Sequence, residues 1–362
     1  MASSETTGTA VPAQDAESAA QRRTLAGLVS NSFTLLILAG IILVFALLLQ
    51  TRFLNIGNFN NIAIDASQLL LLTVGVTFVI VTAGVDLSVG SVLIFSAVVA
   101  AKVMVRFAGS AEEVRAYEFP NQEIAIPLGL AAGVVAGTAW GVLNGVLITK
   151  LKMPSFIVTL GTLGMALGAA QLLSNGTTIP NVPQDVQIKL GLRELVGFDL
   201  GDYRIRLTPP VLVATIVVVL AALALGRTRF GRYTYAIGSN AAAARRVGIN
   251  VDRHLIKVYG LSGLLAGVAG GFDLLRFGTA SVGSHQADNL AAISAAVIGG
   301  TSLFGGLGTI GGSVIGAFIP AVLRNGLVIS GVKPFWQQVA IGAILILAVY
   351  LDQRRRRAEE RM

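Results

Sequence analysis

The sequence predicts an all-α polytopic membrane protein with roughly ten transmembrane helices, at least one of them discontinuous, and three observations carry that prediction. Hydrophobic residues make up 54% of the 362 and charged residues only 13%, against roughly 45–50% and ~25% in soluble domains. Apolar windows as long as the ~20 residues needed to cross a ~30 Å hydrocarbon core recur from Phe33 to Leu351. Those windows are continuous and lack the two-residue alternation of barrel strands, so helices satisfy the backbone inside the bilayer.

The elements follow in order. Residues 1–32 form a polar cytoplasmic tail, whose first part, "MASSETTGTAVPAQDAESAAQRR", has too little apolar content to pack. Arg22 and Arg23 then precede an apolar stretch running to Leu49 without a convincing small-residue cleavage site, which reads as a first span rather than a signal peptide. The transmembrane domain covers 33–351 and a basic cytoplasmic tail covers 352–362. Alternation from an inside start puts "KLKMP", the loop 227–254 and the tail "DQRRRRAEERM" on the cytoplasmic side, where Lys and Arg concentrate. Both termini are then cytoplasmic. Gly109 to Gln122 and the longer Asn175 to Thr208 fall outside. Three glycine ladders of spacing four, Gly133 to Gly145, Gly263 to Gly271 and Gly308 to Gly316, each mark one helix face where backbones approach closely.

Several chemistries are excluded. Cysteine is absent, so there is neither a disulfide framework nor a thiolate metal site, and His254 and His285 are too far apart for a local metal motif. No metal site is expected. The formal charge of +8 sits beside apolar segments, which favours membrane lipid over nucleic acid as the charged partner. "GGLGTIG" has dinucleotide-like glycine spacing but membrane-grade flanks instead of a soluble βαβ unit, and no G-x-x-x-x-G-K-[ST] occurs. No cofactor is expected on this chain, and ATP, if used, is bound by another subunit. A persuasive nucleophile and base set is also missing, which leaves a membrane enzyme as a weak reading.

Two stretches hold the functional signal. In "SNAAAARRVG", Ser239 and Asn240 can cap a helix, Arg245 and Arg246 sit at its negative end, and Gly248 stops it. So short a helix is marginal in water. Either a partner docks on the small Ala241 to Ala244 face, or the loop is an ordinary basic segment anchored to anionic lipid. In "TAGVDLSVGSVL", Asp86 lies between Gly84 and Gly90, which permit a helix break. A charge at mid-bilayer costs at least ~2.5–3.5 kcal/mol and faces protein or water. Asp86 with Ser88 either caps the restarting helix or lines a solute path. Asn144, Phe156 and Thr159 join Asp86 and Ser88 as lining candidates, being polar or aromatic groups beside breaks and small-residue faces, suited to sugar hydroxyls and ring faces. Asp65, Asp273 and Asp288 are the other acids near the spans, and Asp273 with Arg276, spaced i, i+3, could neutralise each other. An ion-coupled secondary transporter of a small polar solute, with Asp65, Asp86 or Asp273 carrying a proton or sodium ion, is one reading of these acids.

Taken jointly, "AGVDLSVGSVL", "LKMPSFIVTLGT", "AIGSNAAAARRVGINVDRH", "YGLSGLLAGVAGG", "AAVIGGTSLFGGLGT" and "VKPFWQQVAIGAILILAVYLDQRRRR" resemble segments of the ribose/xylose-type permeases of bacterial ABC sugar importers, from about Asn55 onward. The resemblance implies a transmembrane permease subunit in the inner membrane, translocating a monosaccharide or related polyol. Its implied partners are an ABC ATPase carrying ATP and Mg, a periplasmic or lipoprotein sugar-binding protein, and a second permease copy in a homo- or heterodimer. Asn240 to Ile249 corresponds to the family's coupling helix, which assigns ATPase coupling to Asn240, Ala241, Ala244, Arg245, Arg246, Gly248 and Ile249. Departures are Ala241 and Ala242 where an acid is common early in that segment, "NLA" at Asn289 to Ala291 where "ELD" is frequent, and Leu307 in place of a usual Arg.

Overall fold

The computed structural model describes residues 34–200 and 203–333 and, beyond these, 335–340, 342–343, 346–347, 350 and 354. The polar tail 1–32 and nearly all of the basic tail 352–362 lie outside the described residues. Eight helices among the described residues are long and apolar enough to cross a membrane: α1 Thr34–Arg52, α2 Ile56–Val81, α3 Val89–Phe107, α5 Gln122–Lys150, α6 Ser155–Ser174, α7 Pro209–Arg227, α10 Val251–Phe277 and α12 Ile310–Ile329. Between them lie α4 Ala111–Arg115, α8 Arg229–Ser239, α9 Ala241–Arg246 and the short apolar α11 Asp288–Ile298. The multi-pass helical architecture is as expected from composition.

Cross-contacts sort the connections onto two ends of the bundle. At one end, Asn60 at the start of α2 donates from Nδ2 to the Arg204 carbonyl and accepts from the Arg206 N–H. Asn181 reaches the Val114 carbonyl, and Ile179 bridges to Ala280. At the other end, the Gly306 N–H donates to the Val81 carbonyl, the Tyr235 hydroxyl donates to the Gly308 carbonyl, and Thr34 at the head of α1 donates to the Ile298 carbonyl. The loops 108–121, 175–208 and 278–287 therefore share the first end. The loops 82–88, 151–154, 228–250 and 299–309 share the second, with α9.

The sequence reads Asn175 to Thr208 as one longer external loop. The structure builds there a π-helical turn, Val186–Gly191, and an antiparallel hairpin of β1 Val196–Leu200 and β2 Tyr203–Leu207. The hairpin's apolar Phe198 and Ile205, β-prone and directly paired, stay largely exposed.

Two of the glycine ladders do what their spacing predicts. A Cβ on Gly137 would lie 2.6 Å from the Gly263 carbonyl oxygen, and one on Gly141 would strike the Tyr259 carbonyl, so α5 and α10 meet backbone to backbone. Gly133 instead faces α3, where a Cβ would sit 2.8 Å from the Ser96 carbonyl oxygen. The third ladder is cut. Gly308 precedes α12 in a left-handed turn, and only Gly312 and Gly316 lie on the helix, against α11.

The discontinuity in the chain is clearest around α11. Its 11 residues rise ~16 Å, about half of a bilayer core. Non-helical backbone from 299 to 309 follows, tolerated because protein encloses it and its N–H groups are used: Ser302 and Leu307 pair, Gly305 bonds Ser302, and Gly306 bonds Val81. "GGLGTIG" is this turn, with no strand before it.

Candidate functional site

The break at 82–88 is the first polar centre. Thr82 ends α2, and the chain reverses through Ala83, which takes the left-handed conformation at φ 60°. Gly84 does not supply that conformation, contrary to the expectation from its place beside Asp86. Its role is proximity, since a Cβ there would lie 2.6 Å from the Tyr259 hydroxyl. The turn is then gripped from two helices, α6 and α11. Ser155 Oγ accepts from the Val85 N–H at 3.1 Å, Thr159 Oγ1 donates to the Val85 carbonyl at 3.2 Å, and Asn289 Nδ2 donates to the Leu87 carbonyl at 3.0 Å.

Asp86 sits at the middle of this knot. Its Oδ1 accepts from the N–H and the hydroxyl of Ser88 at 3.0 and 2.7 Å, and its Oδ2 accepts from the Ser262 hydroxyl at 2.9 Å. Asn144 Nδ2 donates to Ser88 Oγ at 2.8 Å. Bonding from Asp86 to an N–H two residues on is an Asx turn, not the N-cap of α3 that its place before "SVGSVL" suggested: Ser88 occupies the N-cap position and makes no side-chain cap bond. Asp86, Ser88, Asn144 and Thr159 are thus brought together, each 2% exposed or less. Phe156 is not with them, being 52% exposed on the outer face of α6. The four are enclosed within one chain and tied to one another or to the turn. Helix positions put them roughly 9–17 Å in from the α9 end of α5 and α10.

The second centre lies at the hairpin end and is ionic. His285 bridges Asp273 and Asp288, with 2.7 Å from Nε2 to Asp273 and 2.7 Å from Nδ1 to Asp288. Arg324 on α12 meets Asp288 at 2.8 Å, and Arg276 meets Asp65 on α2 at 3.1 Å. The expected Asp273 and Arg276 pair does not form. The two side chains diverge because a better partner stands on each side: a nearly buried imidazole for one and the half-exposed Asp65 for the other. Spacing along one helix could not reveal this, since both partners, His285 and Asp65, come from other elements. His285, Arg324 and this use of Asp288 escaped sequence reasoning. A cation in the apolar α12 was the available signal.

The third feature is the α8–α9 loop. Asn240 caps α9, its Oδ1 accepting from the Ala243 N–H at 2.9 Å, and Gly248 turns left-handed at φ 86°, as the sequence predicts. Ala244, however, is buried with Ile237 and Val251, and Ala241 and Ile249 pack on that cluster. This narrows the expected small face running from Ala241 to Ala244 to Ala242 and Ala243. The outward surface is Ala242, Ala243, Arg245, Arg246 and Val247, the last 77% exposed. Arg245 also meets Asp252 at 3.1 Å. Val247, an apolar tip beside two cations, was missed in the sequence because one valine before a glycine carries no periodic signal.

Residues 58–349 match the family described as branched-chain amino acid transport system / permease component. The fructose import permease protein FrcC of Rhizobium meliloti is 34% identical over 319 residues, covering 88% of this chain and 84% of the relative. The ribose import permease protein RbsC of Escherichia coli K12 is 36% identical over 307 residues, covering 85% and 89%. The xylose transport system permease protein XylH of the same strain is 33% identical over 369 residues, covering 88% and 90%. No solved structure matches the chain.

Proposed function

The chain belongs to the branched-chain amino acid transport system permease-component family, and we propose that it is the membrane-spanning subunit of an ATP-binding cassette importer for a monosaccharide. The observation that carries this reading is the extent of its likeness to fructose, ribose and xylose permeases, which reaches 85–88% of the chain. The subunit forms a passage and catalyses no reaction. ATP and Mg are held by a partner ATPase, and a periplasmic or lipid-anchored binding protein delivers the sugar. A second permease, identical or homologous, completes the pathway. The protein lies in the bacterial inner membrane with α9 and both termini in the cytoplasm, so the hairpin end faces out. That orientation agrees with the basic composition of loop 227–254 and with the contact between the head of α1 and the α9 end. Domain limits are those of the sequence: tails at 1–32 and 352–362 around a permease domain at 33–351.

Coupling acts through the outward surface of α9. Arg245, Arg246 and Val247 enter a groove of the ATPase, while Asn240, Ala241, Ala244, Gly248 and Ile249 set the shape of the helix and bind it to α8 and α10. Ser88, Asn144, Thr159 and Asp86 act as the clasp that holds α3, α5, α6 and α10 together as the bundle moves, rather than as contacts to sugar. An ion-coupled transporter has less support: the relatives are import permeases, and Asp65 and Asp273 already have nitrogen partners.

Reconstitution in proteoliposomes tests the function. The chain alone should take up no sugar under a proton or sodium gradient, and uptake should appear when ATPase, ATP and binding protein are added. Reversing Arg245 and Arg246 to Glu together should leave hydrolysis running without uptake. Gradient-driven uptake by the isolated chain would refute the importer reading, and intact ATP-driven uptake by the double variant would refute the coupling assignment.

A further inference from the structure

Between α2, α10, α11 and α12, at the hairpin end, a pit of about 160 Å³ opens beside the ionic centre. Its size is close to the ~150 Å³ of a cavity that holds a six-membered ring. Asp288, with a side chain 6% exposed, lies at its floor, and Asp65 and Arg324, 43% and 40% exposed, stand at the rim. One wall is apolar, made by Leu69, Pro320 and Ala321, and Phe277, 55% exposed, is at the mouth.

Three features narrow what fits. The strongest charges already compensate one another, Arg324 with Asp288 and Arg276 with Asp65, so an ion or zwitterion would have to break pairs to gain its own. Hydrogen-bonding capacity nevertheless remains. Asn325 lines the pit and its Oδ1 is a buried acceptor with no partner among the described residues, which ordinarily costs ~1–3 kcal/mol unless something occupies the site. Arg324 has five N–H groups, of which one meets Asp288. Finally, the apolar Leu69, Pro320 and Ala321 beside these groups suit the C–H face of a ring whose edge carries hydroxyls.

We propose that this pit is an outward-facing station for a monosaccharide, with Gln68, Asp288, Arg324 and Asn325 bonding its hydroxyls and Leu69, Pro320 and Ala321 taking its apolar face. The assignment rests on the importer reading and adds a place where the solute halts after leaving the binding protein. It also gives α12 a role that its lone cation announces. Opening or closing the pit moves α11 and α12 against α2, because its walls are those helices.

The test is uptake by the assembled transporter in proteoliposomes, using radiolabelled D-ribose, D-xylose, D-fructose and D-galactose, monodeoxy analogues of whichever is carried, and L-leucine. Ala321→Phe fills the pit and should cut sugar uptake about tenfold or more. Gln68→Leu and Asn325→Leu should change the ratio of parent to deoxy-sugar uptake about threefold or more, each for a different missing hydroxyl. A folding defect lowers all solutes by one factor, and retained co-purification of the ATPase checks assembly. Unchanged uptake by Ala321→Phe, or ratios that stay fixed in both leucine variants, would overturn the station. Leucine uptake blocked by Ala321→Phe would overturn the sugar assignment. Absence of ATP-driven uptake of all four sugars by the unmodified transporter would instead overturn the importer reading.

Discussion

Both ends of the bundle bury carboxylates, and they do so by opposite means. Near the α9 end, Asp86 has no cation beside it among the described residues and is held by the N–H of Ser88 and the hydroxyls of Ser88 and Ser262. At the hairpin end, Asp65, Asp273 and Asp288 are each set against an arginine or the imidazole of His285. Uncharged donors can be arranged only where every group is fixed, because each hydrogen bond depends on direction. Ion pairs tolerate more displacement, since the Coulomb attraction falls slowly with distance. The first end is accordingly sealed, whereas the second leaves a pit among its charges. A clasp and a receptive surface follow from the same problem, solved with different partners.

The largest test of that comparison is Asp86→Leu. Removing the carboxylate strands the Ser88 N–H and two hydroxyls in an apolar interior, and a loss of about 3–5 kcal/mol in unfolding stability is expected. Asp86→Asn keeps one acceptor oxygen and should lose about 1–2 kcal/mol. Denaturant unfolding in detergent measures both, and a leucine variant as stable as the parent would break the clasp.

Gly141→Ala probes the same end through packing. A methyl group there meets the Tyr259 carbonyl, and α5 and α10 must part, at a cost of about 1–3 kcal/mol. Since Tyr259 also closes on Gly84 and bonds the Val85 carbonyl, hydrogen exchange in 82–88 should rise with it. Protection that stays unchanged would separate the two contacts.

At the hairpin end, the cycle of Arg324→Ala and Asp288→Asn should give a coupling of about 1 kcal/mol, modest because Arg324 is half solvated. A coupling as large as the Asp86→Leu effect would erase the contrast between the ends. The smallest effect concerns α4, whose capping box joins Ser110 and Glu113. The bond from the Ser110 N–H holds the Glu113 carboxyl below its usual range. The helix is therefore supported above the unfolded carboxylate pKa of ~4.3 and frays as pH falls through the depressed folded value. Amide exchange in 111–115 followed from about pH 6 to pH 3 reads this locally, and exchange that ignores pH would remove the box.

Much of the fold could be read before any coordinates. Continuous apolar windows give helices because lipid offers the backbone no other partner, and residues at spacing four lie on one face, which marked Gly137, Gly141, Gly263 and Gly267 as contact positions. Asn240 and Gly248 were legible as the ends of α9 because caps are local chemistry. The site was harder. Asp86 and Ser88 stood out as polar groups in an apolar run, yet Ser262, 176 residues away, completes the carboxylate's shell. Asp273 and Arg276 were paired in expectation because helix spacing permits it, and the fold gave each another partner. The small face of α9 was read as running from Ala241 to Ala244, whereas burial of Ala244 against Ile237 and Val251 leaves only Ala242 and Ala243 of that run outward.

What the sequence by itself determined is everything governed by nearest neighbours along the chain: the solvent the protein lives in, the helices that solvent demands, their ends, and the faces that can approach. Only the tertiary structure decided which acid meets which base, which side of α9 looks outward, and that a pit lies between α2 and α12. Those outcomes depend on groups tens to hundreds of residues apart, and an ion pair or a cavity exists only where the packed helices bring its separate walls within a few ångströms.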